Sequence, residues 1–162
     1  MSMPLPYPHP MSAEDRLKEL GIELGNPSPP VGGYVAAVTT GNLVFLSGAL
    51  PLRADGSRVD GKVGVDLTVD QGYEAARLAT IALLARLKAE VGSLERVKRV
   101  VKVGGFVNCG PDFSQHPAVV NGASDLLAEV FGEAGKHARA AVGCSSLPLG
   151  AAVEVEMVVE VS

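Results

Sequence analysis

The chain has 162 residues, with 14 Lys and Arg against 18 Asp and Glu, for a formal net charge of −4. That length suits one domain, and 47% hydrophobic with 20% charged residues describes a globular protein. The acidic balance argues against the basic surface that phosphate contacts require. There is no Trp, and only three Tyr and four Phe, so the core must be built from Val, Leu, Ala and Ile.

No apolar run approaches the ~18 residues of a membrane span. The opening MSMPLPYPHPMS has neither a basic region nor a continuous apolar stretch, so a secretory signal is not expected there. Cys109 and Cys144 form no C-x-x-C pair. The expectation is a cytoplasmic protein with reduced thiols, touching neither membrane nor nucleic acid.

Pro at 4, 6, 8 and 10 removes every second amide donor, so residues 1–11 read as a flexible arm preceding one domain at 12–162. Ser12 with Asp15 opens a short helix over roughly 13–20. GNPSPPVGG at 25–33 is a loop by composition. Residues 34–39 and 42–47 read as strands of a hairpin turning at Thr40–Gly41, and a further short strand is predicted near 62–66. Thr68 with Gln71 forms a capping box for a helix running to about Val91. Val69, Tyr73, Ala76, Leu83, Leu87 and Val91 mark its apolar stripe. The β-branched run 96–108 reads as a strand. A second long helix starts at Asp112 or Ser114 and ends at Gly132, with Val119, Val120, Ala123, Leu126, Leu127 and Val130 on its apolar face. Residues 138–144 and 152–161 complete the strands, and in the last one Val and Met alternate with Glu154, Glu156 and Glu160.

The order of elements predicts an α+β domain, a single mixed sheet with two helices packed on one face. Two such helices cannot cover both faces, so the bare face predicts an oligomer.

Motif searches exclude several chemistries. His9, His116 and His137 are scattered, without H-E-x-x-H or a cysteine cluster, so no metal site is expected. GKVG at 61–64 lacks phosphate-loop spacing, and GGFVNCG at 104–110 does not fit G-x-G-x-x-G. Ser47 lies in LSGA rather than in a nucleophile elbow. No cofactor is called for. Six basic residues (Arg86, Lys88, Arg96, Lys98, Arg99 and Lys102) read as a helix C-terminus and the wet face of a strand.

Arg139, in HARAAVG, is either a strand-end arginine paired with a carboxylate or a bidentate clamp for an anionic substrate. By local pattern, Glu154 lies on a solvated strand face and Asn121 on a solvated helix face, Tyr34 opens a strand and Ser47 closes one.

Together, GGYVAAVTTGNLVFLSGALP at 32–51, the helix and RVVKVGGFVN within 69–108, NGASDLLAEVFG at 121–132 and HARAAVGCSSLPLGAAVEVEMVVEV at 137–161 resemble the RidA/YjgF family of reactive enamine/imine deaminases, also called endoribonuclease L-PSP proteins. The long N-terminus and GKVGVDLT look like a divergent branch. The resemblance implies a fold similar to the Bacillus type of chorismate mutase, a homotrimer, and sites in clefts between subunits. It implies that Arg139 binds the substrate carboxylate and that Glu154 positions or activates water. Tyr34, Ser47, Gly48 and Asn121 match pocket residues, as does position 141, where the family often has a reactive cysteine and this chain has Ala141. Cys144 lies too far along to inherit that role. The implied reaction is cofactor-independent hydrolysis of small 2-enamine or 2-imine acids to 2-keto acids and ammonia. One alternative is a non-catalytic trimer that binds a small carboxylate. A second is an endoribonuclease, which would use His116 with His137 as an acid–base pair.

Overall fold

A computed structural model describes residues 11–162. Most of the proline-rich arm expected at 1–11 lies outside them. The elements in chain order are α1 (Ala13–Glu19), β1 (Ala37–Thr40), β2 (Leu43–Ala49), α2 (Val69–Val91), β3 (Val97–Asn108), α3 (His116–Phe131), β4 (Ala138–Cys144) and β5 (Val153–Val161). Short 3-10 turns lie at Leu94–Arg96, Gly132–Gly135 and Pro148–Gly150.

The five strands form one mixed sheet in the order β1-β2-β5-β3-β4. Every pairing is antiparallel except β3 with β4. That parallel pair needs a crossover, which α3 supplies. Both long helices pack on the same face of the sheet and against each other. Their contact is tied by Tyr73 Oη donating to Asp125 at 2.7 Å and by an Arg77–Glu129 ion pair at 3.4 Å. The Asp125 carboxylate, accepting that bond, pushes the Tyr73 phenol up to about 12. The short α1 leans on α3.

Local sequence accounts for most element ends. Thr68 Oγ1 accepts from Gln71 N at 3.1 Å while Gln71 Oε1 accepts from Thr68 N at 2.9 Å, the reciprocal box its sequence predicts. Ser12 accepts from Asp15 N at 3.0 Å to start α1. The α3 stripe is buried at all six expected positions, as are Val153, Val155, Met157, Val159 and Val161 in β5. The buried face of α2 is wider than expected: Gly72, Ala75, Ala79, Thr80 and Leu84 join it, while Val69 and Tyr73 are only half-buried.

Three expectations change. Residues 62–66 are not a strand. Val63 makes isolated bridges to Leu67 and Cys109, and Gly61 and Gly64, at φ 118° and 86°, turn the chain on either side. Helix α3 begins at His116, not at Asp112 or Ser114, and its N-cap Gln115 makes no side-chain cap bond; Pro117 does fall in the first turn. The first strand starts at Ala37, leaving Tyr34 in a bend before it.

The face away from the helices carries Val38, Phe45 and Val142, which are 52%, 46% and 46% exposed. Phe106, Val158 and Glu154 share that face through the strand registers. No helix among the described residues is long and apolar enough to cross a membrane.

Candidate functional site

The strand registers sort the predicted site residues into two groups on opposite faces. Arg139 pairs with Val103, which pairs with Met157, so its side chain shares the helix-covered face with buried core residues. Glu154 pairs with Phe106, which pairs with Val142, on the other face. Side chains alternate along a strand, so one chain does not bring Arg139 and Glu154 into one pocket.

The first group surrounds Glu154. A bulge in β2 between Leu46 and Ala49 interrupts its pairing with β5. At this bulge Ser47 N donates to Ala36 O at 2.9 Å and Ser47 Oγ donates to Val35 O at 2.6 Å. These bonds tie the segment just before β1 to the bulge, with Tyr34 in a bend ahead of the strand. Gly48 is required by close approach: a Cβ there would lie 2.9 Å from Glu154 Cδ and collide with Oε1. From α2, Arg86 Nη1 donates to the carbonyls of Ser47 at 3.2 Å and Gly48 at 3.1 Å. It also borders a cleft of about 350 Å³ with Pro27, Pro30, Val35 and Glu90. Burial pushes the Glu154 carboxyl up from its ordinary range; Glu156 adds to the rise and Arg86 opposes it. Burial draws Arg86 down, against the pull of Tyr34 and Glu154.

The second group surrounds Arg139. Its Nη1 donates to Asn121 Oδ1 at 2.8 Å and to Ser124 Oγ at 3.1 Å, both on α3. Among the described residues Nε and Nη2 make no hydrogen bond, so the side-on edge that matches a carboxylate is open. Arg139, Ser124, Lys136 and His137 line a pocket of about 250 Å³. Asn121 is exposed, as its pattern predicts, and it is also an orienting partner of Arg139. Ala141 lies two residues along the same strand face, partly buried against the core. Cys144, three residues further on, falls on the opposite face from Arg139.

Arg86 and Ser124 were not distinguished from ordinary surface residues by their sequence, and His137 was singled out only as half of a histidine acid–base pair, not as a neighbour of Arg139. Arg86 had one legible signal, an arginine between apolar neighbours in LLARL before the helix end. The proposed histidine pair is not assembled within one chain. His116 Nε2 lies 3.5 Å from Cys109 Sγ, beside Gly143 near the end of β4. His137 precedes the start of that strand, and seven extended residues span roughly 20 Å.

The family model described as "YjgF/chorismate mutase-like, putative endoribonuclease" matches residues 14–161. The chain belongs to the RidA/YjgF family. Protein TCP17 of Trypanosoma cruzi is 46% identical over 147 residues, covering 90% of this chain and 92% of that protein. A 2-iminobutanoate/2-iminopropanoate deaminase of Dermatophagoides farinae is 31% identical, covering 80% and 87%. The crystal structure of Atu1372 from Agrobacterium tumefaciens superposes with a TM-score of 0.86 at 44% identity, covering 93% of this chain and 92% of that one. Membership in RidA/YjgF agrees with the two long helices on one face of a single mixed sheet.

Proposed function

We propose that the protein hydrolyses small 2-imine acids, formed from their enamine tautomers, to 2-keto acids and ammonia at clefts between the subunits of a homotrimer. The observation that carries this reading is the open side-on edge of Arg139, held in place by Asn121 and Ser124 at the mouth of a pocket. A planar guanidinium presented this way suits a carboxylate. The exposed apolar face with Glu154 at its margin supports the second part: contact with another subunit covers Val38, Phe45 and Val142. It also brings the Glu154 group of one chain opposite the Arg139 group of the next.

In this arrangement Arg139 fixes the carboxylate and so the imine carbon beside it. The enamine tautomerises; water adds across the C=N bond, its oxygen to carbon and one proton to nitrogen; the carbon–nitrogen bond then breaks as the new hydroxyl gives up its proton to nitrogen, leaving the keto acid and ammonia. Glu154 takes the proton from water and returns it to nitrogen. Its raised proton affinity makes it a better acceptor of the water proton than an ordinary carboxylate. Arg86 holds the Ser47 and Gly48 carbonyls and so fixes the backbone against Glu154. The family's likeness to an imine deaminase supports the substrate class.

The test couples a pyridoxal-phosphate dehydratase, which releases the imine, to absorbance of the keto acid. Arg139→Ala is expected to lower the imine-dependent rate by about 100-fold through lost positioning. Glu154→Gln is expected to lower it by ~100-fold or more through lost proton transfer. Equal rates for wild type and Arg139→Ala would defeat the reading. The absent family cysteine at Ala141 favours one rival, a carboxylate-binding trimer without turnover, in which Glu154→Gln keeps full ligand affinity and no variant changes the rate.

A further inference from the structure

Arg139 stands at the end of a hydrogen-bond chain whose direction can be read from its outer member. Gly135 O is only an acceptor, so His137 Nδ1, 2.6 Å away, carries the proton. In the neutral ring His137 Nε2 is then an acceptor, and Ser124 Oγ, at 2.9 Å, donates to it. The Ser124 oxygen in turn accepts from Arg139 Nη1 at 3.1 Å. The serine hydrogen is therefore committed to His137, which lines the same pocket, and is not offered to a ligand.

We propose that Ser124 and His137 are positioning residues of the anion-binding half-site, and that proton uptake by His137 turns the Ser124 hydroxyl into the pocket as an added donor to a bound carboxylate. This rests on the carboxylate reading of Arg139 above. When Nε2 gains a proton it becomes a donor to Ser124 Oγ, whose own hydrogen must leave that line. The oxygen can accept from both His137 and Arg139, so the freed hydrogen points to the pocket. The imidazolium also adds a positive charge beside the ligand. Both changes strengthen anion binding as pH falls.

The charged surroundings permit this. Arg139 on β4 is the charge that acts on His137, and it disfavours the protonated ring in the empty site, adding to the larger effect of burial; the Gly135 carbonyl opposes both. The adjoining Lys136 is paired with Glu133 at 2.8 Å, and Arg99 of β3 donates to the Lys136 carbonyl at 3.2 Å. On α3, Asp125 and Glu129 are engaged by Tyr73 and Arg77. An incoming carboxylate is thus the missing counter-charge.

The experiment is calorimetric titration of the full chain with pyruvate, alongside ¹⁵N NMR of the histidine rings. Pyruvate binding is expected to tighten roughly threefold to tenfold between about pH 7.5 and pH 5.5, the size of one added charge near the ligand. His137→Gln keeps an acceptor for Ser124 but cannot titrate, so it should bind with the wild-type affinity of the higher pH and show little of the slope. The difference between the two profiles removes any contribution from Glu154. The unliganded wild type should show the Nδ1–H tautomer, with a pKa that rises on adding pyruvate. Ser124→Ala should weaken binding at the lower pH and reduce the pH slope. A profile unchanged by His137→Gln, or an Nε2–H tautomer, would overturn the proposal while leaving Arg139 as the anchor. Absence of pyruvate binding at both pH values, with Arg139→Ala indistinguishable from wild type, would remove the carboxylate reading itself and the proposal with it.

Discussion

At the residue scale, Glu154 shows how a strand face acquires chemistry. Alternation with valines places it opposite the core, which is legible in the sequence, but its partial burial is not. That burial comes from Gly48, which lacks the side chain that would hold the carboxylate off, and from Arg86 reaching around from α2. The raised proton affinity has a stability consequence. Between the ordinary carboxyl pKa and the raised one, the folded state binds more protons than the unfolded chain, so stability falls as pH rises through that window. Above the raised pKa the cost is fully present. Glu154→Gln is expected to stabilise the protein at pH 7 by roughly half a kcal/mol, allowing for solvent screening of a half-exposed group. The gain should vanish below pH 4, where both states are protonated. Urea unfolding of the two proteins at both pH values measures it, and an equal difference at each pH would contradict this account.

At the element scale, the structure was readable wherever a pattern had a local cause. The α2 capping box, the six-residue α3 stripe and the β5 alternation needed only nearest neighbours on one helix or strand. The failures have long-range causes. Val63 and Val65 look like a strand, but flanking glycines at positive φ convert the segment into turns anchored on Cys109. Helix α3 begins late because the chain first bends past Phe113, which packs edge-on at 5.1 Å against His116. Tyr34 misses the strand because Ser47 captures the carbonyl of Val35, twelve residues before it. The same locality makes one prediction secure. Thr68→Ala removes the acceptor for Gln71 N and should cost about 1 kcal/mol of stability in urea unfolding. The pyruvate anchor Arg139 lies on β4 with its partners Asn121 and Ser124 on α3, away from the α2 N-terminus, so the affinity for pyruvate should not change. A large affinity loss would mean that the cap orients the site directly.

At the scale of the whole molecule, the decisive feature is that the two polar groups lie on opposite faces of one sheet. Residue spacing in the last two strands marks both Arg139 and Glu154 but cannot say that they face apart, since that follows from β3 lying between β4 and β5. If the working site joins the Arg139 group of one subunit to the Glu154 group of its neighbour, two inactive variants must complement each other. Arg139→Ala supplies a sound Glu154 side and Glu154→Gln a sound Arg139 side. In trimers assembled at random from an equal mixture, each cleft receives a sound Arg139 with probability one half and, independently, a sound Glu154 with probability one half. About a quarter of the clefts are then intact, so co-expressed or co-refolded variants should recover about a quarter of the wild-type rate in the coupled assay, as follows from the repeated interface of a cyclic oligomer. Each variant alone should stay near background, and mixing them without subunit exchange should recover nothing. A site completed within a single chain predicts no recovery under any mixing, because every subunit then carries one lesion of its own.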